Sequence, residues 1–176
     1  MQGRLQAVFW VHAHDHSLLD DTTCRAATLG GHVHVLQWLR RLDPPCAWDA
    51  GVCKCAASQG HLAVLQWARA QTPPAPWNCM VNFYAAGNGN LEIMRWANAN
   101  GCPVDTHTCR AAARSGKLKV LKWLRMQTPP CPWDELVSGE AEAQGEVEAL
   151  QWLLAQTPPC PYDPRVAQQL KAAAAM

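Results

Sequence analysis

The sequence predicts an all-α chain, a solenoid of stacked helix–turn–helix repeats. Three observations predict it. Trp recurs at 10, 38, 67, 96, 123 and 152, in steps of 27 to 29 residues. A Gly stands seven residues before each, at Gly3, Gly31, Gly60, Gly89, Gly116 and Gly145. Links of one design separate the copies: DPPCAWD, TPPAPWN, TPPCPWD and TPPCPYD, with GCPVD as a short form. Self-similarity at such a period marks a repeat architecture, in which each copy buries its apolar face against its neighbours.

The elements follow in chain order. Residues 1–19 form a half unit, whose GRLQAVFW is a degenerate copy of the template. Full units begin near 20, 49, 78, 105 and 134, and a partial unit spans 163–176. Each full unit opens on Asp20, Asp49, Asn78, Asp105 or Asp134, with Asp163 opening the last. Asp and Asn are good N-caps because their side chains accept from the orphan N–H groups of a first turn. The Trp, Tyr or Val before the cap suits a hydrophobic staple, and Pro164 suits the first helical position. A first helix of eight or nine residues then runs to the Gly turn, with an Ala four residues before each Gly at Ala27, Ala56, Ala85, Ala112 and Ala141. The second helix, as in GHLAVLQW, is predicted to run from the Gly to the next proline pair. Leu62, Val64, Leu65, Trp67 and Ala68 cover more than half of its circumference, so it needs burial on several sides.

Composition narrows the function. The 176 residues are 49% hydrophobic and 16% charged, too apolar for a disordered chain. The net charge of +1 gives no global drive toward nucleic acid or membrane. No apolar run approaches the ~20 residues of a spanning helix, and the first residues lack a signal-peptide h-region and cleavage site. The nine cysteines are therefore expected to be reduced thiols in the cytoplasm, with the nucleus as the alternative.

CAASQ followed by GHLAVLQWARA resembles the ankyrin repeat, whose core pattern is two alanines, two residues, Gly-His and an aliphatic helix. The match recurs in five units and in part at both ends. The departures are a shorter period, the absence of Thr-Pro-Leu-His, and a Pro-Pro-Cys-Pro-Trp-Asp link in place of the β-turn finger. The chain is therefore most similar to a short, divergent ankyrin class. The resemblance implies a concave surface lined by first helices, which in that family binds partner proteins.

Chemistry finds little foothold. His12, His14 and His16 lie beside Asp15, and His12 and His16 would share a helix face able to hold Zn²⁺. No second set of ligands completes a tetrahedron, so a polar connector is the preferred reading and no metal or cofactor is expected. His32 and His61 share their slot with Asn90, Lys117 and Glu146, which argues against a common catalytic role. Cys24, Cys53 and Cys109 alternate with Asn82 and Ser138, and Cys46, Cys102, Cys131 and Cys160 recur in the links. These read as small fillers, since stacked columns ~8–10 Å apart are too distant for disulfides. There is no G-x-S-x-G, no phosphate-binding Gly loop and no H-E-x-x-H, so no enzyme is expected.

The candidate site comes from the face opposite the core of the first helices. It comprises Arg25, Lys54, Met80, Phe83, His107, Arg110 and Arg114. Phe83 stands out, since a Phe at a solvent-facing slot suits an interface anchor. The expected function is a monomeric protein-interaction module whose partner offers an acidic segment with an apolar anchor. The alternative is a nucleic-acid-binding repeat using the basic unit 106–126, which carries Arg110, Arg114, Lys117, Lys119, Lys122 and Arg125 and no acid. The following unit is acidic, and opposite bands side by side weaken a nucleic-acid field. A non-catalytic targeting subunit of a larger enzyme is a third reading.

Overall fold

A computed structural model describes residues 21–165. Within that span the regular structure is entirely helical. Ten helices occur: α1 Asp21–Leu29, α2 Val33–Leu39, α3 Ala50–Gln59, α4 Leu62–Arg69, α5 Met80–Asn88, α6 Leu91–Ala99, α7 Thr106–Arg114, α8 Leu118–Arg125, α9 Glu135–Ala143 and α10 Val147–Leu154. They divide into two compact units that meet in sequence at Asn78 and Cys79. In the first unit α1 packs on α3 and α2 on α4. In the second, α7 lies between α5 and α9, and α8 packs on α10. His12, Asp15, His14 and His16 fall outside the described residues, as does the expected cap Asp20.

The caps form as the template requires, with one exception. The carboxylates of Asp49, Asp105 and Asp134 accept from the N–H groups of Gly51, Thr108 and Leu136 at 2.8, 3.1 and 3.1 Å. Asp163 accepts from the Arg165 N–H at 3.0 Å. Asn78 is the exception: α5 begins at Met80, and its cap residue is Cys79, already in helical conformation.

The interval from Ala to Gly has a definite cause. The N–H of the residue after the Gly reaches back to the Ala carbonyl: His32 to Ala27, His61 to Ala56, Asn90 to Ala85, Lys117 to Ala112 and Glu146 to Ala141, at 2.8–3.0 Å. This is the Schellman closure, and it needs a left-handed residue in between. Gly31, Gly60, Gly89, Gly116 and Gly145 all have φ between 60° and 78°.

Three slots of every second helix are buried: Val35, Leu36 and Leu39; Val64, Leu65 and Ala68; Ile93, Met94 and Ala97; Val120, Leu121 and Leu124; Ala149, Leu150 and Leu153. The first helices meet them with small side chains such as Val52, Cys53, Ala56 and Ala57, which lets backbones approach closely. The repeating Trp is less buried than its apolar neighbours predict. Trp67 is only half-buried and sets its ring edge-on to the link residue Trp48, 5.8 Å away, and Trp152 does the same to Trp133 at 6.4 Å. A tryptophan that closes the rim of the core explains this, because its large indole packs with one edge outside.

The second helices also stop before the prolines. They end at Leu39, Arg69, Arg125 and Leu154, and the intervening residues turn the chain. The side-chain amides of Gln71, Gln127 and Gln156 donate to the carbonyls of Trp67, Trp123 and Trp152 at 2.8–2.9 Å, satisfying orphan acceptors at the helix end. The link then returns to the helix. The N–H groups of Cys46, Ala75, Cys131 and Cys160 donate to Leu39, Ala68, Leu124 and Leu153. The peptide before the first proline is cis at Asp43–Pro44, Thr72–Pro73, Thr128–Pro129 and Thr157–Pro158.

An arginine clamps three of these links. Arg40, Arg69 and Arg125 lay their guanidinium groups over Trp48, Trp77 and Trp133, 3.8–4.3 Å from the ring centroid. The same guanidinium groups donate to the carbonyls of Cys46, Ala75 and Cys131 at 2.7–2.9 Å. Where the arginine slot holds Asn98 or Leu154, the link carries Val104 or Tyr162 instead of Trp. The link Trp is therefore held by a cation as well as by apolar packing, and the pairing of Trp-x-Arg with a Trp further on was a readable signal.

Candidate interaction surface

The predicted residues fall into two groups. Arg25 and Lys54 lie on α1 and α3 of the first unit, both half-buried. Arg25 does not stand free in solvent. Its aliphatic stem lies against Gly51, where an added Cβ would come within 2.7 Å of the Arg25 Cδ and 2.6 Å of the Asp49 carboxylate. The arginine from the neighbouring helix thus occupies the space that a side chain at Gly51 would fill.

Met80, Phe83, His107, Arg110 and Arg114 belong to the second unit, on the packed neighbours α5 and α7. Met80 and Phe83 are half-exposed, and Phe83 meets the adjacent Tyr84 edge-on at 5.3 Å. Arg110, Arg114 and His107 are each set beside a carboxylate. Arg110 donates from two nitrogens to Asp134, its Nε to Oδ1 at 3.3 Å and its Nη2 to Oδ2. That bond holds the Asp134 carboxyl below the usual carboxylate range and raises the Arg110 guanidinium. Arg114 is largely exposed, with Glu140 at 3.9 Å. His107 Nδ1 lies 3.4 Å from Asp105. Burial pushes the Asp105 carboxyl up, but hydrogen bonds from Cys79 and from the backbone and hydroxyl of Thr108 outweigh this and hold it low.

The second unit therefore presents two half-exposed apolar side chains beside a set of local ion pairs. Slot six of a first helix reaches sideways to the cap of the next copy, as Arg110 does to Asp134 and Arg25 does toward Asp49. The sequence places these side chains on the face of the first helices opposite the core, expected to be concave, and does not show this lateral reach. The readable signal was an Arg at slot six followed by an Asp cap on the next copy.

A concavity lies along α8 of the second unit. The groove, of about 440 Å³, is lined by Lys117, Lys119, Lys122 and Glu148 together with Gly89, Gly116, Leu118 and Val120. Among the described residues, no three His, Cys, Asp or Glu side chains gather closely enough to hold a metal ion. Also among them, no helix is long and apolar enough to cross a membrane. Compared with known proteins, the chain matches no family model and no curated protein.

Proposed function

We propose that the chain is a non-enzymatic protein-interaction module, a solenoid of short ankyrin-like helix pairs that engages a partner protein through its first helices. One observation carries the reading. The core slots repeat with little change, whereas slot six reads Arg25, Lys54, Phe83, Arg110 and Gly139, and Met80 and Phe83 stay half-exposed beside it. A surface whose chemistry varies on a constant frame is what recognition needs, and an accessible aromatic is the usual anchor of such a contact.

The ion pairs refine the expected ligand. Arg110 is already matched by Asp134, so an acidic ligand residue has to displace an existing partner there. Arg114 is largely exposed and only loosely matched by Glu140, so it is open to a partner carboxylate. An extended or helical segment with an apolar residue for Met80 and Phe83 and a carboxylate for Arg114 is the best complement.

The test is a binding comparison on an affinity-captured partner. Phe83→Ala is expected to weaken binding by about 2 kcal/mol if Phe83 is a hot spot. Arg114→Glu is expected mainly to slow association. Unchanged affinity in Phe83→Ala would overturn the reading.

The runner-up is nucleic-acid binding, which the three lysines of the α8 groove favour. It predicts a steep fall of affinity with salt and loss of binding on reversing Lys119 and Lys122, with Phe83→Ala silent.

A further inference from the structure

Slot five of each first helix faces the small residue of the following link, and the contact differs from copy to copy. Cys53 Sγ lies 3.8 Å from the Ala75 carbonyl. Asn82 donates to the carbonyls of Cys102 and Pro103 at 3.3 and 2.9 Å. Ser138 donates to the Pro161 carbonyl at 2.7 Å. In the other two copies both positions are cysteine. Cys24 and Cys46 place their sulfurs 3.0 Å apart, and Cys109 and Cys131 place theirs 2.7 Å apart. The expectation that the cysteines are only separate fillers considered neighbouring columns. It overlooked the return of the link onto its own first helix.

We propose that Cys24–Cys46 and Cys109–Cys131 are two dithiol sites, one in each compact unit, that close to disulfides by exchange with a low-molecular-weight disulfide. Both sulfurs of each pair are carried by fixed backbone. Cys24 and Cys109 sit inside α1 and α7. Cys46 and Cys131 are held by their N–H groups to Leu39 and Leu124, and by their carbonyls to Arg40 and Arg125, which lie over Trp48 and Trp133. The sulfurs need to approach by about 1 Å or less to reach the bonded length of ~2.04 Å. Such placement gives an intramolecular step a high effective concentration.

The order of events follows from access. All four cysteines are buried, Cys24 and Cys109 inside helices and Cys46 and Cys131 on the links, so a small disulfide meets them when the link lifts, and that movement uncovers the link thiol. The contact with Cys131, and then burial, push the Cys109 thiol up from its ordinary value. The link thiol therefore reacts first. It gives its proton to solvent, and its thiolate attacks one sulfur of RSSR, forming a mixed disulfide and releasing RS⁻, which takes up a proton. The first-helix thiol then gives up its proton, attacks the link sulfur and expels the second RS⁻. The balance is dithiol plus RSSR giving protein disulfide plus two RSH. The bond makes covalent a joint that the other three copies form through a carbonyl contact.

The test uses the full chain treated with oxidised glutathione, then unfolded and alkylated, with peptide mapping. The expected result is four of the nine cysteines protected, in Cys24–Cys46 and Cys109–Cys131 links, and a higher melting temperature than the reduced chain. Cys131→Ala and Cys46→Ala, which install the residue already present as Ala75, should each remove one link and part of the rise. Alkylation of all nine, stable glutathione adducts at Cys46 and Cys131, links through the half-exposed Cys55 or Cys79, or a lowered melting temperature would each overturn the proposal.

Discussion

At the scale of single residues, the arginine clamp is the feature with the clearest energetic consequence. Arg125 joins a cation–π contact with Trp133 to a hydrogen bond with the Cys131 carbonyl. Arg125→Ala is expected to cost about 1–2 kcal/mol in urea unfolding, the size of such a stack plus one charge-assisted bond. Arg125→Lys should recover only part of it, because an ammonium lacks the planar fork that stacks and donates at once. The Arg110–Asp134 pair gives a pH signature. The folded Asp134 carboxyl titrates below its ordinary value of 3.8, so its contribution is present above that value. It is lost as pH falls through the lower, folded value. Arg110→Gln should therefore be less stable than the parent near neutral pH and converge with it in acid, once pH has fallen through the lowered folded value of Asp134, read from melts across the acid range. Little of this was legible in sequence. The Asp caps and apolar slots follow from local rules, whereas Arg25 and Arg110 act across copies, and a one-copy template cannot display that contact.

At the scale of the element, the turn between paired helices combines two requirements in one glycine. Gly31 has φ 70°, and an added Cβ would meet the His61 ring at 2.8 Å. His61 Nε2 also lies 3.2 Å from the Leu29 carbonyl at the end of α1. Gly145 has φ 71° but nothing within 4 Å of an added Cβ. Gly145→Ala is expected to cost about 1–2 kcal/mol, the left-handed backbone penalty alone. Gly31→Ala should cost about 1 kcal/mol more through the displaced imidazole contact. Equal melting temperatures for the two variants would mean that the ring moves aside without loss. The helices themselves were legible, because Ala, Gly and the apolar triplet recur at fixed intervals. Their C-termini were misjudged. The prolines were taken as the stop, while Gln71, Gln127 and Gln156 show the chain leaving the helix earlier and satisfying its last carbonyls with amides. The α5 start was misplaced for a related reason: Asn78 is a good cap by type, yet Cys79 already holds helical angles.

At the scale of the whole molecule, each compact unit has its own buried set. Leu65 in the first and Leu121 in the second occupy the same slot, with 0% and 1% of their surface exposed. Replacing either with Ala should cost about 2–5 kcal/mol. If stability is assembled from neighbouring pairs, the loss stays local. Amide exchange after Leu65→Ala should accelerate in α3 and α4 while α9 and α10 keep their protection, and Leu121→Ala should leave α1 and α2 protected. Uniform acceleration throughout would instead mean that the chain opens as one cooperative body. The turn glycines carry one more consequence. His61 fits against Gly31, Lys117 against Gly89 and Glu146 against Gly116, so the same socket accepts an imidazole, an ammonium stem and a carboxylate. At these three joints one copy supplies the side chain and the preceding copy supplies the glycine that makes room for it. Shape rather than charge is what these three joints have in common, and the letter written at that position can differ from joint to joint while the turn stays the same.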